Sequence, residues 1–277
     1  MAATTHLPFA YQLGPLEITG FGLGMLLAFV IGQIVATALL ERRGQDGEVM
    51  GDVTVGAVIG GLVGAKLYYA ILTGDPGAVF SRAGFVFWGG LIGGIVASVL
   101  VIRHKGRLFT EISDACAPAL AAAYAVGRTG CWAVGDDYGR PWNGFLAVSF
   151  PQGAPPSTVA NLVQQFGLTG YADLPPDTVL AVHPTQLYET AMGLVMFAIL
   201  WRLKDHRHAA GWLFGVYCVL QGIERFLVEF LRAKDDRFVG PFTVAQTIAM
   251  AFVVAGAFWM WRRSSPSAPT AVATTRG

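Results

Sequence analysis

Seven stretches of this chain are each about as long and as apolar as a helix must be to cross the hydrocarbon core of a bilayer, and nothing else limits its fold as strongly. They are Ile18–Leu40, Gly51–Leu72, Phe85–Ile102, Ile112–Trp132, Gln186–Leu203, Gly211–Leu231 and Phe242–Trp261. A helix apolar all round has no face for water and belongs inside protein or lipid. The composition of the 277 residues agrees, with 54% hydrophobic and 13% charged residues, which excludes disorder and argues against an ordinary soluble domain. The fourth stretch is the least regular, because Glu111, Asp114 and Pro118 interrupt its start. Membrane helices tolerate Pro where neighbours satisfy the freed backbone group. The first ten residues hold no Lys or Arg, which argues against a cleaved signal peptide.

Basic residues in the connections set the expected orientation. Arg42, Arg43, Arg103, Lys105, Arg107, Arg202, Lys204, Arg207, Arg262, Arg263 and Arg276 fall on one side, eleven in all. Arg82, Arg140, Arg232, Lys234 and Arg237 fall on the other. The N-terminus is therefore expected outside and the C-terminus in the cytoplasm, with Arg232–Arg237 as a local exception that needs a reason. The expected fold is an all-α polytopic membrane protein with seven transmembrane helices. Residues 1–134 carry helices one to four and residues 184–263 carry helices five to seven. Residues 135–183, rich in Pro and Gly, form a small extracytoplasmic cap with a short strand at Phe145–Phe150, since a loop this long in a compact chain is functional or disordered. Residues 264–277 are expected to be a disordered cytoplasmic tail. A net charge of +1 points to no polyanionic partner such as nucleic acid, and Cys116, Cys131 and Cys218 have no metal-like or disulfide spacing.

Three basic residues sit within the apolar stretches: Lys66, Arg128 and Arg225. A cation at the centre of a membrane helix costs roughly 2.5–3.5 kcal/mol, and such residues face a polar interior and mark functional paths. The topology places all three toward the outer leaflet, which suggests one site for an anion. Arg128 lies in Gly127-Arg128-Thr129-Gly130-Cys131-Trp132, just before Asp136 and Asp137. A guanidinium fork matches phosphate oxygens; the alternative is that Arg128 snorkels to the interface and pairs with Asp136. Arg225, Glu229 and Arg232 fall on one helical stripe at i, i+4 and i+7, either as a headgroup site or as a structural ion pair. In His183-Pro-Thr-Gln-Leu-Tyr-Glu189, Thr185 reads as a helix N-cap. Gln186 and Glu189 point inward toward the arginines, and His183 is either an interfacial base or a structural histidine. The runs Gly56/Gly60/Gly61/Gly64 and Gly89/Gly90/Gly93/Gly94 read as helix-packing surfaces.

With these blocks in view, the chain resembles the bacterial prolipoprotein diacylglyceryl transferases. The resemblance is carried by Gly127-Arg128-x-Gly130 with Asp136 and Tyr138-Gly139, by His183-Pro-Thr-Gln-Leu-Tyr188-Glu189, by Arg225-Phe-x-x-Glu229-x-x-Arg232, by Asp114-x-x-Ala-Pro118 and by Trp88-Gly-Gly-Leu-Ile-Gly93, in family order from the first stretch to the last. It implies a multi-pass enzyme of the bacterial inner membrane that needs no cofactor or metal. Such an enzyme moves the diacylglyceryl group of phosphatidylglycerol onto the lipobox cysteine of a preprolipoprotein and releases glycerol phosphate. It puts Arg128 and Arg225 in the phospholipid and catalytic site, with Glu229 on that stripe; His183 and Asp136 are the further catalytic candidates. The candidates for substrate binding are Glu229, Arg232, Lys66, Gly139, Tyr188 and Glu189. The chain departs from the family at Trp88, where a His is usual, at Phe21, at Cys131 and Val134, where Asn is usual, and at Asp136, where Glu is usual. Carboxylates beside arginine are poor bases, so His183 is the best remaining base candidate, the alternative being electrostatic stabilisation of the thiolate without a dedicated base. The competing readings are a paralogous lipid transferase with another acceptor and a non-catalytic phospholipid-binding or transport protein.

Overall fold

A computed structural model of the chain describes residues 4–14, 16–81, 84–171, 173–233 and 237–265. The chain is mostly helical: α1 (Gly20–Arg42), α2 (Val49–Thr73), α3 (Phe87–His104), α4 (Phe109–Val134), α5 (Val159–Gln164), α6 (Thr185–Leu203), α7 (Trp212–Val228) and α8 (Val244–Arg262). Among them α1, α2, α3 and α8 are long and apolar enough to cross a membrane. Helices α4, α6 and α7 overlap the other three apolar stretches and carry more polar side chains. Outward-facing Ile71 (74% exposed), together with Leu26, Ile34, Ile59, Ile95 and Val254, gives the bundle an apolar exterior suited to lipid.

Local chemistry sets the ends of these elements. Thr19 caps α1 by accepting from the Gly22 amide at 3.2 Å. The chain leaves α4 at Gly135 in the left-handed region (φ 69°), where a side chain would also meet Phe150. Helix α8 opens on a capping box in which Thr243 Oγ1 accepts from the Gln246 amide and the Gln246 side chain accepts from the Thr243 amide, both at 3.1 Å. Thr185 is the first residue of α6 and not its cap; its hydroxyl donates to the Asp137 carbonyl at 2.7 Å instead. The expected stripe at the end of α7 is cut short. The helix stops at Val228, and the next residues turn to pair with the connection after α4, where the Arg140 amide donates to the Leu231 carbonyl at 2.7 Å.

Helix α4 is the central element, packed against α1, α6 and α7, and its Ala115, Ala117, Ala121 and Ala125 are almost fully buried. The small residues let helices approach closely. A Cβ at Gly24 of α1 would overlap Gly130 of α4, and one at Gly64 of α2 would overlap the Gly89 carbonyl of α3. The α2–α3 pair joins the rest through an apolar cluster of Ala36, Leu39, Leu40, Met50, Ile102 and Ile112. That cluster lies at one end of the bundle. The connections there meet: Arg43 donates to the Lys204 carbonyl at 2.9 Å, and Arg107 lies 3.6 Å from Asp46. This is the basic end.

At the opposite end, residues 135–183 fold against the N-terminus. β1 (Thr4–Thr5) runs parallel to β4 (Val148–Ser149), which pairs antiparallel with β5 (Ala181–Val182). The expected strand at Phe145–Phe150 thus contracts to two residues, because only these find partners. Tyr138, Val148, Phe150, Leu162 and Val182 form a separate apolar core beneath the sheet. Two hairpins complete the fold: β2 (Ala10–Leu13) with β3 (Leu16–Thr19), and β6 (Arg237–Val239) with β7 (Phe242–Thr243). Arg82, Lys234 and most of the expected tail, residues 266–277, lie outside the described residues.

Candidate active site

Arg128 projects from the last turns of α4, below the Gly135 turn. That turn brings the chain back over it. Asp137, at φ 54° in the left-handed region that Asp tolerates better than most residues, places one carboxylate oxygen 2.9 Å from Arg128 Nη1 and the other 2.5 Å from Arg232 Nη2. Arg128 Nη2 also contacts Glu189 of α6, whose other oxygen is 3.8 Å from Arg232 Nη1. The second half of the site starts on α7. Arg225 Nη2 lies 2.7 Å from Glu229 Oε2, and Arg232 Nε lies 3.8 Å from the same oxygen. Thr243, the cap of α8, donates to Glu229 Oε1 at 3.1 Å. Arg232 therefore couples two arginine–carboxylate sets built from α4, α6, α7 and the start of α8. Buried ion pairs hold only when the remaining hydrogen-bonding capacity is also met. Here some of it is unspent: Arg128 Nε and Arg225 Nη1 are buried with no acceptor among the described residues. Those donors are free for the oxygens of an anion.

The neighbouring aspartates behave differently. Burial works against the charge of Asp137, but Arg232 and Arg128 overcome it and hold this carboxyl well below the usual range. Asp136 contacts neither guanidinium in the described hydrogen bonds and ion pairs. Its backbone carbonyl accepts from Gln186 Nε2 at 2.5 Å, and its Oδ1 is buried without a partner among the described residues. Burial, reinforced by the charge of Asp137, pushes the Asp136 carboxyl up to about 6. The expected Arg128–Asp136 pair is thus an Arg128–Asp137 pair, because the left-handed turn at Asp137 aims the second carboxylate of the two at the arginine. Cys131 Sγ, an Asp136 oxygen and an Asp137 oxygen lie within 4.8 Å of one another. That set does not suit a metal cation, since Asp137 already serves two guanidiniums.

His183 is placed beside the cluster. Its ring stacks on Trp142 at 4.3 Å and its Nδ1 is 3.4 Å from the Tyr188 hydroxyl. Burial lowers its pKa. Its carbonyl accepts from the Gly139 amide at 2.8 Å. Gly139 is packed so tightly that a Cβ would press on the Leu231 carbonyl and on His183, so its role here is close backbone approach to the Arg232 segment. Lys66 is not brought into the cluster. Its ammonium donates to the Ser81 carbonyl at 2.5 Å and lies 4.3 Å from the Phe85 ring centre. Trp88, on the first turn of α3, packs against Phe87 and is 45% exposed. Sequence reasoning missed Asp137 as the bridging carboxylate, Thr243, and the Tyr124–Glu224 pair. The Thr-x-x-Gln spacing of Thr243 and Gln246 and the i, i+4 spacing of Tyr124 and Arg128 are the signals that could have found them.

Comparison with known proteins bears on what this arrangement does. The family model for prolipoprotein diacylglyceryl transferase matches residues 8–262. The chain is 30% identical to a phosphatidylglycerol–prolipoprotein diacylglyceryl transferase of Nitratidesulfovibrio vulgaris, over 92% of this chain and 93% of the relative. It is 30% identical to the protein of that name in Geobacter sulfurreducens, over 90% and 92%. With the one in Bordetella avium it shares 33% identity, over 84% of each chain.

Proposed function

The chain belongs to the prolipoprotein diacylglyceryl transferase family, and from that premise we propose how its arginines and carboxylates carry out the family's reaction. The protein is a transferase that moves the diacylglyceryl group of phosphatidylglycerol to the lipobox cysteine thiol of a preprolipoprotein. The sulfur attacks the glycerol carbon that bears the phosphate ester. The C–S bond forms as the C–O bond breaks, and the bonding electron pair leaves with glycerol phosphate. The leaving group gains a negative charge, so fixed positive charge aimed at its oxygens lowers the barrier. Arg128 and Arg225 fill that role in our reading, with Arg232 between them and Asp137, Glu189 and Glu229 orienting them. One observation carries it: two guanidiniums from separate helices share a carboxylate-linked network yet keep buried N–H groups unspent.

The thiol proton needs an acceptor. Asp136 fits better than His183, because its Oδ1 is buried in the site without a donor and its carboxyl is half-ionised near pH 6. His183, stacked on Trp142 and edge-to-face with Tyr188, lines the approach in this reading. The seven apolar helices span the bacterial inner membrane in this reading, with the compact 135–183 unit on the extracytoplasmic side and the basic end in the cytoplasm. The excess of Lys and Arg on one side of the chain supports that orientation.

The test is transfer in proteoliposomes of labelled phosphatidylglycerol and a lipobox peptide. The protein should yield thioether-modified peptide and an equal amount of glycerol phosphate. Arg225→Ala should cut the rate at least a hundredfold, as expected for loss of a charge that stabilises the leaving group. Full activity in that variant would remove Arg225 from the mechanism.

A further inference from the structure

A half-buried tyrosine and a buried carboxyl lie next to this machinery and take no part in the steps above. Tyr124 sits one helical turn before Arg128 on α4. Its hydroxyl oxygen lies 3.0 Å from Glu224 Oε1 on α7 and 3.3 Å from Glu189 Oε1 on α6. Gln221 Nε2 donates to the other Glu224 oxygen at 2.9 Å. Glu189 and Glu224 are both almost fully buried.

The hydrogens can be counted. A tyrosine hydroxyl carries one hydrogen, and an ionised carboxylate carries none. One hydrogen cannot fill two contacts, so both are hydrogen bonds only if one carboxyl brings a proton of its own. Glu189 is held by Arg128, which fixes it as the carboxylate. The proton therefore rests on Glu224, and the chain runs from Glu224 O–H to Tyr124 Oη and from Tyr124 O–H to Glu189. The charge balance points the same way. Among the described ion pairs, Arg128, Arg225 and Arg232 pair with Asp137, Glu189 and Glu229, whereas the described hydrogen bonds of Glu224 go to Tyr124 and Gln221. An anionic lipid adds to the negative side, so a neutral Glu224 relieves the site.

We propose that Tyr124 and Glu224 are positioning residues for the phospholipid: the Glu224–Tyr124–Glu189 hydrogen-bond chain fixes the Glu189 carboxylate, and through it Arg128, in the orientation that receives the phosphate. This deepens the assignment of Arg128 to the phosphate and rests on it. Removing the Tyr124 hydroxyl leaves a buried acceptor on Glu189 unfilled, and the Glu189–Arg128 pair tightens or turns to compensate. The phosphate is then met by a less available Arg128 in both ground and transition states, a change that appears in KM more than in kcat.

The experiment is steady-state transfer in mixed micelles, with phosphatidylglycerol and lipobox peptide varied separately, on protein whose helical content and melting match the parent. Tyr124→Phe should raise KM for phosphatidylglycerol about tenfold, leave KM for the peptide unchanged, and change kcat less than about threefold. Glu224→Ala should reproduce that defect, and Glu224→Gln, whose amide still donates to Tyr124 Oη, should rescue most of it. An unchanged lipid KM in Tyr124→Phe, equal rises for both substrates, or no rescue by Glu224→Gln overturns the proposal. Arg128→Gln separates the two levels. If it abolishes lipid use while Tyr124→Phe does nothing, only the positioning chain fails; if it keeps lipid use, the Arg128 assignment fails as well.

Discussion

Asp136 and Asp137 are adjacent and chemically identical, and their surroundings give them opposite tasks. Asp137 divides its two oxygens between Arg128 and Arg232 and stays ionised. Asp136 keeps a carboxyl near 6 because burial and the adjacent charge penalise its anion, with no guanidinium bonded to it. The sign of the pH effect follows. In the proposed mechanism Asp136 acts as the base and must be ionised, so kcat/KM should be level above about pH 7 and fall about tenfold per unit below pH 6. Asp136→Asn should lower the rate about a hundredfold and erase that acidic limb. An acidic limb unchanged in Asp136→Asn would return the role to another group. At this scale the chemistry was only half legible in the sequence. Arg128, Arg225, Glu189 and Glu229 stand out because charge in an apolar run is costly. Which of two neighbouring aspartates meets the arginine depends on a left-handed residue that no pattern announces. The rule that a carboxylate beside arginine is a weak base applies to Asp137, the one the arginines meet.

Helices were the most legible elements, since a 20-residue apolar run has few other fates, and each expected stretch contains one. The departures occur where a tertiary contact overrides a local pattern. Helix α7 ends at Val228 because Leu231 and Arg232 pair with Gly139 and Arg140, and Thr185 turns its hydroxyl to Asp137 instead of capping α6. The two-residue strands β1, β4 and β5 were illegible, because two residues cannot display a period of two. The glycine surfaces were read as helix packing, and the geometry makes that testable. A Cβ at Gly64 would collide with the Gly89 carbonyl, whereas at Gly61 the nearest atom is the Gly90 carbonyl at an ordinary 3.5 Å. Gly64→Ala should therefore destabilise the detergent-purified protein by about 1–3 kcal/mol. Gly61→Ala should be neutral or slightly stabilising, because Ala is the better helix former by about 1 kcal/mol. Equal melting temperatures for the two variants would contradict the close α2–α3 approach.

For the molecule as a whole, the basic connections gather at one end and the arginine–carboxylate site lies at the other. Contacts among Arg42, Asp205, Arg43 and Lys204, and between Asp46 and Arg107, tie the first group together. Such exposed pairs add little stability; their value is in showing which loops share a side. The proposed orientation predicts labelling by a membrane-impermeant maleimide. Asp173→Cys should react in intact spheroplasts, and Glu48→Cys only after permeabilisation, with the buried or half-buried native cysteines as background. The reverse pattern would invert the topology. The α2–α3 pair is riveted to its neighbours chiefly at the basic end, while Ile71, Leu72, Phe87 and Trp88 lie bare at the other. A panel hung along one edge can swing at its free edge without dismantling any core. In the proposed orientation that edge faces hydrocarbon, so a two-tailed donor would step in sideways from its leaflet and never wet its chains.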